Sequence, residues 1–145
     1  MKYIILVSHG QFAEGVKTSL EMFAGNATER VFALCLHNGK SAADFKADVE
    51  TFLKEQQFKE DDEFVVLADI IGGSPLTTFL EVFAAQGYLE QAVILGGMNF
   101  TMALTATVSL DTMDKDELAK TALSEAKAAL KQYQIPTATA DEDDI

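Results

Sequence analysis

The sequence predicts an α/β domain built on a doubly wound, mainly parallel open sheet with helices on both faces. Three observations carry that expectation. Four short apolar runs, 3–7, 31–36, 64–68 and 92–95, are continuous rather than alternating, as strands covered on both faces are. Segments with helical spacing separate them, so strand and helix alternate along the chain. At 145 residues, the chain is the right size for one domain with a full core.

The elements follow in order. After the first strand, "QFAEGVKTSLEMFAG" repeats Phe12, Val16, Leu20 and Phe23 at three- and four-residue intervals, with Gly25 as a natural stop. "VFALCL" reads as the second strand. "SAADFKADVETFLKEQQ" offers Ser41 as a cap and Phe45, Val49, Phe52 and Leu53 as an apolar stripe. "FVVLA" is the third strand. In "SPLTTFLEVFAAQG", Ser74 is the expected cap, Pro75 suits the first helical position and Gly87 ends the helix. The fourth strand, "AVIL", precedes "MNFTMALTATVSL", a mixed stretch compatible with helix. A final helix is expected from Asp114 to Tyr133, with Leu118, Ala122, Leu123, Ala126 and Leu130 inward. Residues 1–133 thus form the domain. Residues 134–145, with a proline, small residues and four acids, read as an acidic flexible tail or the stub of a linker.

Composition narrows the function classes. No apolar run approaches the roughly 20 residues of a membrane span, and "MKYIILVSHG" is too short in its apolar part for a signal peptide. The single cysteine, Cys35, excludes an intramolecular disulfide and a cysteine metal cluster, and a buried structural thiol is expected. A cytoplasmic location fits these features. The net charge is −12, and Arg30 is the one arginine among 11 basic residues, which argues against nucleic acid or anionic lipid as a partner and against an enzyme that clamps phosphate with several guanidinium groups.

In open parallel sheets, chemistry gathers at the carboxyl ends of the strands, near the point where strand order reverses. His9 follows the first apolar run and Asp69 the third. If those strands are neighbours, in the flavodoxin-like order, the two side chains emerge together. A carboxylate beside an imidazole accepts one ring N–H and leaves the other nitrogen free as a nucleophile. Gly72-Gly73-Ser74-Pro75 then opens a helix, where free N–H groups and the dipole favour an anion such as phosphate. Each residue also has a plainer reading: His9 as a loop residue, Asp69 as a strand end, and Gly-Gly-Ser-Pro as a turn with a cap. His37, in "LHNGKS", follows an expected edge strand and reads as a surface loop. Met98, Asn99 and Phe100, after Gly96-Gly97, either wall the site and dock a partner or belong to core or loop. Phe12 is either a docking aromatic beside His9 or part of the core. No metal-ligand cluster and no cofactor motif is visible.

Strand–"SHG", "AEGVKTSLEMFAG", "LADIIGGSP" about 60 residues after His9, and "ILGGMNFTMAL" resemble the enzyme IIA domain of the mannose family (mannose/fructose/sorbose) of the bacterial phosphoenolpyruvate-dependent sugar phosphotransferase system. The resemblance runs to about Tyr133. It implies a phosphoryl carrier: the phosphocarrier protein HPr donates to His9, and the phosphohistidine passes the group to an enzyme IIB partner that serves a membrane permease. Asp69 matches the family's aspartate, and Gly72, Gly73 and Ser74 match its Gly-Gly-Ser. The resemblance also implies a homodimer that exchanges a carboxyl-terminal strand. Where the mannose-specific pattern has an aromatic after the aspartate, this chain has Ile70-Ile71, a change in the docking surface. The acidic ending suggests a free-standing IIA subunit.

Three other readings make different demands. A phosphoryl-relay subunit of dihydroxyacetone kinase resembles the same family but is expected to lack Gly-Gly-Ser-Pro. A phosphohistidine phosphatase-like hydrolase, suggested by the likeness of "SHG" to "RHG", needs more arginines than Arg30. A non-catalytic flavodoxin-like binding module requires that His9→Ala leave function intact and that a small molecule accompany the purified protein.

Overall fold

The structure is a computed structural model that describes residues 1–137. Four strands, β1 (Lys2–His9), β2 (Val31–Leu36), β3 (Glu63–Ala68) and β4 (Ala92–Leu95), form one sheet in the order β2-β1-β3-β4 with every pairing parallel. The chain moves outward from β1 to β2 on one side and resumes with β3 on the other. The reversal therefore falls between β1 and β3, the adjacent pair that flavodoxin-like order requires.

Alternate side chains of the two central strands feed two cores. Ile4, Leu6, Val65 and Leu67 face α1 (Phe12–Glu21), α4 (Phe100–Val108) and α5 (Lys115–Ala128). Ile5, Val7, Phe64, Val66 and Ala68 face α2 (Ala42–Gln56) and α3 (Ser74–Ala85). Burial on both faces is why these strands read as unbroken apolar runs. Short 3₁₀ turns at Gly25–Arg30 and Leu89–Gln91 lead into β2 and β4.

Several sequence expectations shift. β1 continues through His9, so the histidine ends the strand instead of following it. In α1 the buried stripe is Ala13, Val16 and Leu20, and Phe12 and Phe23 lie at the surface. Ser41 caps α2 by accepting the Asp44 N–H at 3.1 Å, as its position suggests. The cap of α3 is Gly73, with Ser74 as the first helical residue and no side-chain cap bond. Asn99 caps α4, accepting the Met102 N–H at 2.9 Å. Asp114 caps α5, which stops at Ala128, leaving Leu130 and Tyr133 exposed. Residues 129–137 carry no regular structure, and 138–145, most of the expected acidic tail, lie outside the described residues.

At the end of the sheet away from the carboxyl strand tips, the nearly buried Asp62 carboxylate ties down two segments. It accepts the Lys59 N–H at 2.7 Å and pairs with the Met1 ammonium at 3.0 Å. Burial pushes its pKa up, but these partners outweigh burial and hold it below the usual carboxylate range. Asp62→Asn is expected to cost about 1–3 kcal/mol at neutral pH, read by denaturant unfolding. A depressed folded-state pKa means that the contribution is present above the usual carboxylate pKa and fades as pH falls through the lower folded value. The wild-type advantage over the variant should therefore shrink in acid.

Candidate functional site

The carboxyl ends of β1 and β3 bring His9 and Asp69 together. Parallel register aligns Val7 with Ala68, so the residues just beyond, one at a strand tip and one in the following turn, meet across the switch point. The Asp69 N–H donates to the Val7 carbonyl at 3.2 Å, which carries the ladder one step past β3. Asp69 Oδ2 then accepts both the His9 backbone N–H and a bond from His9 Nδ1, each at 3.0 Å, while Oδ1 accepts the Ile70 N–H at 2.8 Å. Burial raises the Asp69 pKa, but the His9 backbone and ring bonds and the Ile70 amide overcome it and hold the carboxyl below its ordinary range. At neutral pH the carboxylate is ionised and only accepts. His9 therefore carries a proton on Nδ1, and in its neutral form the Nε2 lone pair is the free one. The imidazole is 44% exposed, enough for a partner to reach it.

The Gly-Gly-Ser-Pro turn wraps under this ring. Gly72 has φ +80°, a left-handed conformation suited to glycine. Gly73 lies so close that a Cβ there would sit 3.0 Å from His9 Cε1 and 3.7 Å from Nε2. The first turn of α3 thus starts against the reactive edge of the imidazole. Ser74 is exposed, and its hydroxyl, not spent on a cap, is free to meet a ligand. Pro75 lacks an N–H, so the orphan amide donors at this terminus are those of Gly73, Ser74 and Leu76.

The surroundings separate walls from surface. Ile70 and Ile71 are exposed beside Asp69, and Ile71 lies against Gly96, where a Cβ would meet its Cγ1 at 2.4 Å. Met98 is buried and packs into the core, which removes it from any docking surface. Asn99 is occupied structurally: besides capping α4, its Nδ2 donates to the Ala126 carbonyl at 3.0 Å. Phe12 is exposed, and with Phe100 it lines an apolar cleft of about 310 Å³ on the α1 side. Phe100 also packs on Phe23, with ring centroids 5.5 Å apart.

A second cleft, of about 280 Å³, runs from His9 and Gly10 to His37 and Lys40. His37 lies in the loop after β2, as its sequence context suggests. Its Nε2 is 2.7 Å from Glu14 Oε1, and that bond is the main reason the Glu14 carboxyl is held below its usual range. His37 thus commits the nitrogen that His9 leaves open. Arg30 pairs with Asp111 at 2.8 Å and precedes β2, at the opposite end of the sheet from His9. Sequence reasoning missed Lys40 in the cleft and Ser8 beneath it. Ser8 Oγ is fully buried and accepts the Ala13 N–H at 2.7 Å, which fixes the start of α1 directly behind His9. A small polar residue ending an apolar strand was the available signal.

The family model described as PTS system fructose IIA component matches residues 3–123. The mannose/sorbose-specific IIA subunit of the phosphotransferase system from Enterococcus faecalis is 28% identical, with a TM-score of 0.74, covering 94% of this chain and 98% of that one. The phosphotransferase system component EIIA from Streptococcus agalactiae is 28% identical, with a TM-score of 0.72 and coverages of 91% and 97%. The PTS IIA protein associated with the fucose utilization operon of Streptococcus pneumoniae is 29% identical, with a TM-score of 0.69 and coverages of 90% and 96%.

Proposed function

The chain belongs to the PTS system fructose IIA component family, and from that premise we propose that it is a phosphoryl carrier that accepts a phosphoryl group from phospho-HPr on His9 Nε2 and passes it to an enzyme IIB partner. The observation that supports this reading above all is the His9–Asp69 pair, which commits Nδ1 and leaves Nε2 as the uncommitted nitrogen of a half-exposed ring beside the α3 terminus.

The chemistry asks little beyond placement and charge. In the accepting step the Nε2 lone pair forms a bond to phosphorus as the donor's N–P bond breaks in line, and the leaving electron pair returns to the donor imidazole. Asp69 holds Nδ1–H and balances the positive charge that spreads onto the ring. The amides about Gly72, Gly73 and Ser74 and the Ser74 hydroxyl receive phosphoryl oxygens. Arg30 stands too far away to help, so a cation from the partner completes the transition state, and the same lack weighs against a hydrolase with its own arginine clamp. Phe12, Ile70, Ile71 and Phe100 form the apolar surface on which HPr and enzyme IIB dock in turn. The chain acts in the cytoplasm as a homodimer, and the permease is reached only through enzyme IIB. Among the described residues, no helix is long and apolar enough to cross a membrane.

Incubation with phosphoenolpyruvate, enzyme I and HPr, followed by intact mass, tests the reading. One added phosphoryl group, lost in acid and kept in alkali, is expected. No shift while HPr itself becomes phosphorylated contradicts it. Gly73→Ala offers a finer check. The Gly73 backbone, at φ −77° and ψ 161°, suits alanine, so any effect must come from the new methyl against the ring. A displacement of several tenths of an ångström is expected to slow transfer by roughly tenfold to a hundredfold with little change in melting temperature.

A further inference from the structure

We propose a zinc-class divalent metal site at Glu14, Cys35 and His37, on the flank of the molecule beside the His9 cleft. One ligand atom from each of these residues lies within 4.8 Å of the other two. They come from three places: α1, the tip of β2 and the loop that follows it. Thiolate, imidazole and carboxylate together are a donor set suited to zinc or cobalt and poorly suited to magnesium or calcium. Three protein ligands leave a fourth tetrahedral position for water.

The geometry is close to what binding needs. Around zinc, with bonds of about 2.0–2.3 Å, tetrahedral ligand atoms stand roughly 3.3–3.8 Å apart. The His37–Glu14 pair is already at 2.7 Å, joined by the proton a metal would replace. Cys35 is held in a strand and nearly buried, whereas the Glu14 and His37 side chains are 49% and 44% exposed. Two movable ligands therefore close on one fixed sulfur. Ser8 supplies support from behind. Its oxygen already accepts the Ala13 N–H, so its own hydroxyl proton can point to Cys35 Sγ, 3.7 Å away. A hydroxyl donor of this kind stabilises a metal thiolate. On binding, the thiol proton leaves to solvent, and the His37 proton shared with Glu14 moves from Nε2 to Nδ1, which frees Nε2 to ligate the metal.

Metal binding here is independent of whether His9 carries a phosphoryl group. The test uses the tag-free full chain titrated with cobalt(II) and then zinc. One equivalent of cobalt should produce a thiolate-to-metal charge-transfer band, which zinc abolishes, and zinc should raise the melting temperature. Cys35→Ser should remove the band. His37→Gln and Glu14→Gln, both at exposed positions, should weaken binding by roughly tenfold or more. His9→Ala should leave binding unchanged. Absence of the charge-transfer band overturns the proposal. So does binding that survives His37→Gln but is lost in His9→Ala, since the metal would then sit at His9 and Asp69. If Cys35→Ser fails to fold, the His37 and Glu14 variants still decide the matter.

Discussion

His9→Ala is expected to abolish phosphoryl acceptance while leaving the fold nearly as stable as before. Loss should be complete, below detection for transfer from phospho-HPr, because the variant has no other imidazole in a comparable state. The only other histidine, His37, has its Nε2 bonded to Glu14 and sits in another loop, away from the α3 terminus. Stability should change by no more than about 1 kcal/mol. The His9 side chain is half exposed, and its backbone N–H still donates to Asp69. Labelled phosphoryl transfer read beside thermal unfolding checks both halves. Phosphorylation retained in His9→Ala and lost in His37→Ala would reassign the acceptor.

Asp69→Asn is expected to slow transfer on the order of 10² to 10⁴-fold. The carboxylate accepts three hydrogen bonds, from His9 Nδ1, the His9 amide and the Ile70 amide. An amide side chain that turns its NH2 toward the ring forces the proton onto Nε2 and removes the nucleophile. One that turns its oxygen there keeps the tautomer but loses the negative charge that balances the developing imidazolium. Stability carries a second signature. The Asp69 pKa is depressed in the folded state, so its contribution is present above the ordinary carboxylate pKa and is lost as pH falls through the lower folded value. The stability gap between wild type and variant should therefore be widest near neutrality and narrow in acid. A gap that widens in acid would contradict the assigned charge state.

The fold was largely legible because burial on both faces writes strands as unbroken apolar runs, and β1 and β3 place His9 and Asp69 together by register alone. The errors have specific causes. In α1 the apolar spacing was carried by Phe12 and Phe23, yet the residue against the sheet is Ala13, whose small side chain lets the helix approach. At α3, the cap is Gly73, which packs tightly against the His9 ring, and Ser74 is the first helical residue with its hydroxyl not spent on the cap. Asn99, grouped in the sequence with Met98 and Phe100 as a possible docking wall, is a helix cap tied to α5. Helix α5 ends at Ala128, so Leu130, which continues the apolar spacing, lies past the helix and is exposed. The Glu14–Cys35–His37 cluster was invisible in the chain since its members are spread over two elements and a loop, with no ligand spacing to read.

The central claim is that His9 Nε2, and no other atom, carries the phosphoryl group. Nitrogen NMR of histidine-labelled protein, recorded before and after transfer from phospho-HPr, tests it most directly. The expected result is a free His9 with its proton on Nδ1, then a phosphohistidine bonded at Nε2 with Nδ1–H retained and the His37 signals unmoved. Phosphorus on His9 Nδ1 or on His37, or no phosphohistidine at all, would contradict the account.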